Sequence, residues 1–127
     1  MHINLESDYA VRIVHGLSDE HRLEAQAIAA ENGLPLPITL KIMRKLAAAD
    51  VVKSFKGAHG GYMLARPPEG ISLRQVIEAV EGPYRFSRCV GSGYDCGSAG
   101  GCPFLSVFDD ITRLVVDKLE KTTFDMF

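Results

Sequence analysis

Apolar positions recur at helical spacing in five stretches of the chain, separated by glycine, proline or polar runs. Tyr9, Ala10, Ile13 and Val14 predict a first helix over residues 6–16, capped by Ser7 and stopped by Gly16. A polar break at 18–22 precedes a short helix over 23–32, with Ala25, Ile28 and Ala29 on one face. Gly33 then sits where a tight turn needs positive φ. Leu34-Pro35-Leu36-Pro37 redirects the chain. Because proline is tolerated in a first helical turn but not further in, the next helix is expected over 37–49. Its buried stripe reads as Leu40, Met43, Leu46 and Ala47, leaving Thr39, Lys41, Arg44 and Lys45 on the other faces.

Strand-like runs follow at 51–55 and 62–65, joined by Lys56-Gly57-Ala58-His59-Gly60-Gly61, a glycine-rich turn carrying a base and a histidine. Ser72 and Gln75 make a capping-box pair that opens a helix through Val80. Leu73, Val76, Ile77 and Val80 form its core face, and Gly82-Pro83 ends it. From Arg85 to Cys102 periodicity is lost and glycines alternate with serines and cysteines, so this stretch reads as a loop. Pro103 suits the first turn of a long final helix in which Phe104, Phe108, Ile111, Val115 and Leu119 step by four, three, four and four. Little of the chain remains to cover that stripe, so a second copy is expected to pack on it, with only its first turn expected to lean on its own core.

Helix, turn, helix and hairpin in this order predict a mainly α fold: a winged helix-turn-helix with a β-hairpin wing and a long C-terminal dimerisation helix. The expected division is a DNA-binding unit over 1–82, a cysteine-containing loop over 83–102 and a dimerisation helix over 103–127 that forms one compact unit with the first. A length of 127 residues, 46% of them hydrophobic, with a net charge of −2, fits one folding unit and excludes a disordered tail. No apolar run is long enough to cross a bilayer, and the first residues lack the basic and apolar regions of an export signal, so a cytoplasmic protein without a membrane partner is expected.

Charge adds a location. Between Leu36 and Arg66 six bases (Lys41, Arg44, Lys45, Lys53, Lys56, Arg66) face one acid, Asp50, a local +5 that leaves −7 on the rest of the chain. A polyanion at close range feels the nearest bases rather than the net total, because the Debye length is only about 8 Å. The basic helix is therefore expected to enter a major groove of duplex DNA through Thr39, Lys41, Arg44 and Lys45. Lys56, His59 and Gly60 of the wing would meet the backbone or a minor groove. An enzyme is not expected: His15, His21 and His59 lie apart, and no phosphate loop or metalloprotease motif is present.

Cys89, Cys96 and Cys102 fall together in a chain whose first 88 residues contain no cysteine. Structural zinc generally uses cysteine pairs two to four residues apart, which these intervals fit poorly. An iron-sulfur cluster tolerates wider spacing, and glycines let the backbone approach it. From the residues themselves, cluster ligands, redox-active thiols, zinc ligands and inert cysteines all remain open.

Ser7-Asp8-Tyr9-Ala10 followed by Arg12, the wing from Lys56 through Gly60-Gly61-Tyr62 to Leu64, residues 71–82, the three-cysteine loop and Thr122-Thr123-Phe124 resemble the Rrf family of winged-helix transcriptional regulators over nearly the whole chain. The resemblance implies a cytoplasmic homodimer that binds an operator in double-stranded DNA, as a repressor whose affinity is controlled by an iron-sulfur cluster sensing nitric oxide, redox state or iron. It implies Cys89, Cys96 and Cys102 as ligands of a two-iron or four-iron cluster. The IscR-like pattern has a histidine three residues after the last cysteine, where this chain has Leu105, and the first cysteine interval is one residue longer than in the NsrR-like pattern. NsrR-like members complete the cluster with an acid near the start of the first helix, reaching from the other subunit. Asp8 matches that position, with Glu6 or His2 as substitutes. Two other functions compete: a cluster-free thiol- or metabolite-responsive regulator on the same fold, and a protein-interaction module without DNA binding.

Overall fold

The computed structural model describes residues 2–90 and 102–127. Helices α1 (Leu5–Gly16), α2 (Ala25–Asn32) and α3 (Leu36–Ala48) are followed by strands β1 (Val52–Phe55) and β2 (Gly61–Leu64). After these come α4 (Leu73–Glu81) and α5 (Leu105–Lys121), with short 3-10 turns at Pro68–Gly70 and Phe124–Met126. The two strands form an antiparallel hairpin in the register Val52 to Leu64 and Phe55 to Gly61.

The cap of α1 is Asn4, whose side chain accepts a hydrogen bond from the Ser7 amide at 2.7 Å. Ser7, expected at that cap, lies inside the helix instead, fully buried, and its hydroxyl donates to Glu81 Oε2 at 2.5 Å. That bond satisfies a polar atom which the core would otherwise leave unpaired, and it ties the start of α1 to the end of α4. The capping box of α4 forms as expected: the Ser72 hydroxyl accepts from the Gln75 amide, and the Ser72 amide donates to the Gln75 side chain.

The core joins Ala10, Ile13 and Val14 of α1 to Ile28, Met43, Leu46, Leu64 and Val76. Helix α3 is turned relative to its expected stripe. It buries Thr39, Ile42, Met43 and Leu46, while Leu40 and Ala47 are half-buried. The i, i+3, i+4, i+7 face can start at a threonine because the Thr39 hydroxyl donates to the Pro35 carbonyl at 3.1 Å, leaving its methyl to pack.

Helix α5 presents two faces. Phe108, Ile111, Val115 and Leu119 are half-buried, so the chain itself covers part of the stripe expected to await a second copy, while Phe104 in the first turn, expected to lean on its own core, is 60% exposed. The Gly82-Pro83 break brings Phe86 across the helix: its ring lies 5.3 Å from that of Phe108, and its amide donates to the buried Thr112 hydroxyl at 3.1 Å. Arg74 of α4 bonds Glu78 and reaches Glu120 of α5 at 3.5 Å; the hydrogen bond to Glu78 holds its guanidinium pKa above the ordinary value. The chain end then returns to the winged helix. The Leu73 amide donates to the Thr122 carbonyl and the Phe124 amide to the Ile71 carbonyl, and the Phe124 ring is buried in the core. No helix among the described residues is long and apolar enough to cross a membrane.

Candidate nucleic-acid interface and cysteine cavity

Gly33 closes α2 in the left-handed conformation at φ 64°, and two residues later Pro35 starts α3. The tight turn sets α3 with Lys41 and Arg44 exposed and Lys45 half-buried. Thr39 is not on that surface. Its complete burial removes it from the expected set of DNA contacts, for the packing reason given above.

Two of the α3 bases are already paired. Glu6 of α1 lies 3.0 Å from the Lys45 ammonium and 3.6 Å from that of Lys41. The carboxylate proposed as a substitute metal ligand is thus engaged with the basic helix. Arg44 pairs with no acid among the described residues. Arg66 serves the frame: it donates to the Asp50 carbonyl at 2.9 Å and to the Gly70 carbonyl at 2.7 Å, bracing the base of the hairpin.

At the wing tip Lys56 and His59 are exposed, as expected. Gly60 has a steric role: a Cβ there would lie 2.7 Å from the Phe55 carbonyl oxygen, so only glycine fits the turn. Gly61 is more constrained still, with φ +140° and a Cβ position 2.7 Å from the Leu23 carbonyl oxygen. That close approach reflects a third strand-like segment, since Leu23 and Tyr62 exchange backbone hydrogen bonds of 2.9 and 2.8 Å. Leu23 therefore braces the wing rather than opening α2. Beside it the Arg22 guanidinium stacks 3.7 Å above the Phe55 ring and donates to the His59 carbonyl at 3.1 Å. Arg22 was missed as part of the wing because it stands in a polar break; the apolar Leu23 interrupting that break was the available signal.

Cys89 and Cys102 are unpaired and half-exposed, and both line one cavity of about 580 Å³ with Val90, Pro103, Leu105, Ser106 and Asp109. Cys96 lies outside the described residues. Two soft thiols lining one open pocket, with glycines around them in sequence, suit thiolate-loving iron. Among the described residues no three histidines, cysteines or acids gather closely enough to hold a metal ion, so a complete site needs ligands beyond these two. Asp8 does not line the cavity. Its carboxylate pairs with Arg12 at 2.9 Å, on a turn of α1 that is partly exposed.

The profile of the Rrf2 family, described as an iron-dependent transcriptional regulator, matches residues 3–127. An rrf2-like helix-turn-helix-type transcriptional regulator of Rhodobacter capsulatus is 29% identical over 120 residues, spanning 86% of this chain and 80% of its own length. CymR of Bacillus subtilis is 31% identical over 86 residues, 65% of this chain and 62% of its own. The structure of that protein, described as the global cysteine regulator, superposes with a TM-score of 0.77 over 98% of this chain and 94% of that one, at 24% identity. IscR of T. potens gives a TM-score of 0.75 over 98% of this chain and 84% of that one, at 25% identity. Winged-helix geometry, the basic face of α3 and a match over almost every residue agree: this chain belongs to the Rrf2 family of transcriptional regulators.

Proposed function

We propose that two copies of this chain form a cytoplasmic DNA-binding repressor whose operator affinity is controlled by an iron-sulfur cluster, of two or four irons, on Cys89, Cys96 and Cys102. Asp8 of the second copy is the fourth ligand in this reading. The observation that carries it is the cavity shared by Cys89 and Cys102 at the start of α5. When bound, such a cluster would supply an iron whose carboxylate ligand is exchangeable, leaving it open to nitric oxide or oxygen. The chain's own part is mechanical. Residues 83–102 connect the end of α4 to α5, and Asp8 sits on α1, which α4 and α3 flank. A ligand set drawn from both copies therefore biases the distance between the two α3 helices.

Phe104, Val107 and Leu114, exposed at 60%, 53% and 72%, recur at three- and seven-residue steps and give α5 an apolar face for the second copy. In the dimer the α3 helices enter successive major grooves of a pseudo-palindromic operator through Lys41, Arg44 and Lys45. Lys56 and His59 of each wing lie at the flanking minor groove or backbone. No enzymatic step is part of this reading.

A second reading is a cluster-free thiol-responsive regulator, favoured by the two free, half-exposed cysteines on one cavity and by the likeness to CymR. Purification without oxygen, followed by visible absorbance and iron and sulfide assays, separates the two. A coloured protein that loses iron and sulfide in the Cys96→Ala variant agrees with the cluster. A colourless protein whose DNA binding responds to peroxide establishes the thiol reading instead.

A further inference from the structure

Among the described residues, Glu6 is the one acid that pairs with the DNA-reading helix. Its side chain is only 22% exposed, and Oε1 is buried without a hydrogen bond among the described residues; its compensation is the Lys45 ammonium 3.0 Å away, in a geometry that makes an ion pair but not a hydrogen bond. Lys41, one helical turn earlier, approaches the other carboxylate oxygen at 3.6 Å. A carboxylate with one oxygen withdrawn from water is held there by cations, and it offsets the repulsion between two ammoniums one turn apart. The trio presents one net positive charge to an incoming polyanion where the lysines alone would present two.

We infer that Glu6 is a specificity-determining residue of the DNA interface, which suppresses sequence-independent binding by competing with phosphate for Lys41 and Lys45. This rests on the DNA-binding reading above and adds a charge that opposes it. An ammonium has three donors. It can give one to a neutral acceptor on a base edge, such as guanine O6 or N7, while staying beside Glu6. A phosphate must either displace the carboxylate or sit near it against repulsion. Base contacts are thus retained at little cost, and backbone contacts are weakened. Arg44, without such a partner among the described residues, carries the larger share of the phosphate attraction.

The test uses the full-length chain, a mixed-sequence duplex, and a duplex selected from a random library for tight binding, each titrated across salt. Glu6→Gln is expected to tighten mixed-sequence binding several-fold, to steepen its salt dependence by about 0.9 for each freed lysine that gains a phosphate, and to lower the ratio of selected to mixed affinity. Glu6→Asp, which keeps the charge, should stay near the wild type. An unchanged ratio, or equal weakening on both duplexes, overturns the inference. Should Glu6→Gln fail to fold, Lys45→Gln is compared with Arg44→Gln. The smaller loss of mixed-sequence affinity must belong to Lys45, and an equal or larger loss there is a refutation. If the wild-type chain shows no salt-dependent binding to either duplex, the DNA-binding reading itself fails. If it binds and Glu6→Gln changes nothing, only the role of Glu6 does.

Discussion

Arg22 sits over Phe55, with 3.7 Å between its guanidinium carbon and the ring centroid, and from there it donates to the His59 carbonyl at the wing tip. A residue outside the hairpin thus fixes the turn that carries Lys56 and His59. An exposed cation–π contact is worth about 0.5–1 kcal/mol, comparable to the hydrogen bond it accompanies. Arg22→Ala is therefore expected to leave the melting temperature within a few degrees of the wild type. It should weaken DNA binding several-fold by loosening the tip and removing a charge. Arg22→Lys restores the charge but not the stacking or the fork, and should recover only part of the affinity. Gel-shift or anisotropy titrations of both variants at fixed salt provide the check.

Thr39 gives the opposite pattern. It stands one helical turn from Met43 on the buried face of α3, with its hydroxyl satisfied by the Pro35 carbonyl. Thr39→Val keeps the shape and removes the hydroxyl, while the Pro35 carbonyl keeps the Thr39 amide as a donor. A stability change of about 1 kcal/mol or less in denaturant unfolding is expected, with DNA affinity unaltered. A loss of affinity without a loss of stability would return Thr39 to the reading surface.

Leu114 is the most exposed large apolar side chain of α5. Leu114→Asp places a charge on the face assigned to the second copy without touching the half-buried stripe. Sedimentation or light scattering should show a monomer of unchanged helical content, and DNA affinity should fall steeply because two half-sites are no longer linked. A variant that stays dimeric locates the subunit contact elsewhere.

Much of this architecture was legible because a few residues have no alternative use. Gly60-Gly61 between two strand-like runs marks a turn that no Cβ fits, and Ser72 with Gln75 opens a helix as the capping box demands. Where the sequence misled, a polar group had found a partner that periodicity does not reveal. Thr39 reads as surface until Pro35 accepts a hydrogen bond from its hydroxyl, and Ser7 reads as a cap until Glu81, far along the chain, accepts one from its own. The Glu6 contacts with Lys41 and Lys45 were hidden for the same reason, since pairing between α1 and α3 is tertiary. Phe124 and the Leu23 bridge are likewise long-range, fixed by backbone hydrogen bonds to Ile71 and Tyr62. Clustering in sequence pointed to the cysteines, and the fold adds that Cys89 and Cys102 share a cavity with Asp109.

The central claim is that chemistry at the cysteine segment changes how tightly the α3 helices and wings hold DNA. The most direct test is the affinity of anaerobically purified protein for a selected operator duplex, before and after exposure to a nitric-oxide donor, in parallel with Cys96→Ala. The account predicts at least a tenfold change in the wild type, equivalent to about 1.4 kcal/mol, and no response in the variant. Equal affinity before and after exposure, in a protein shown to contain iron and sulfide, would contradict it.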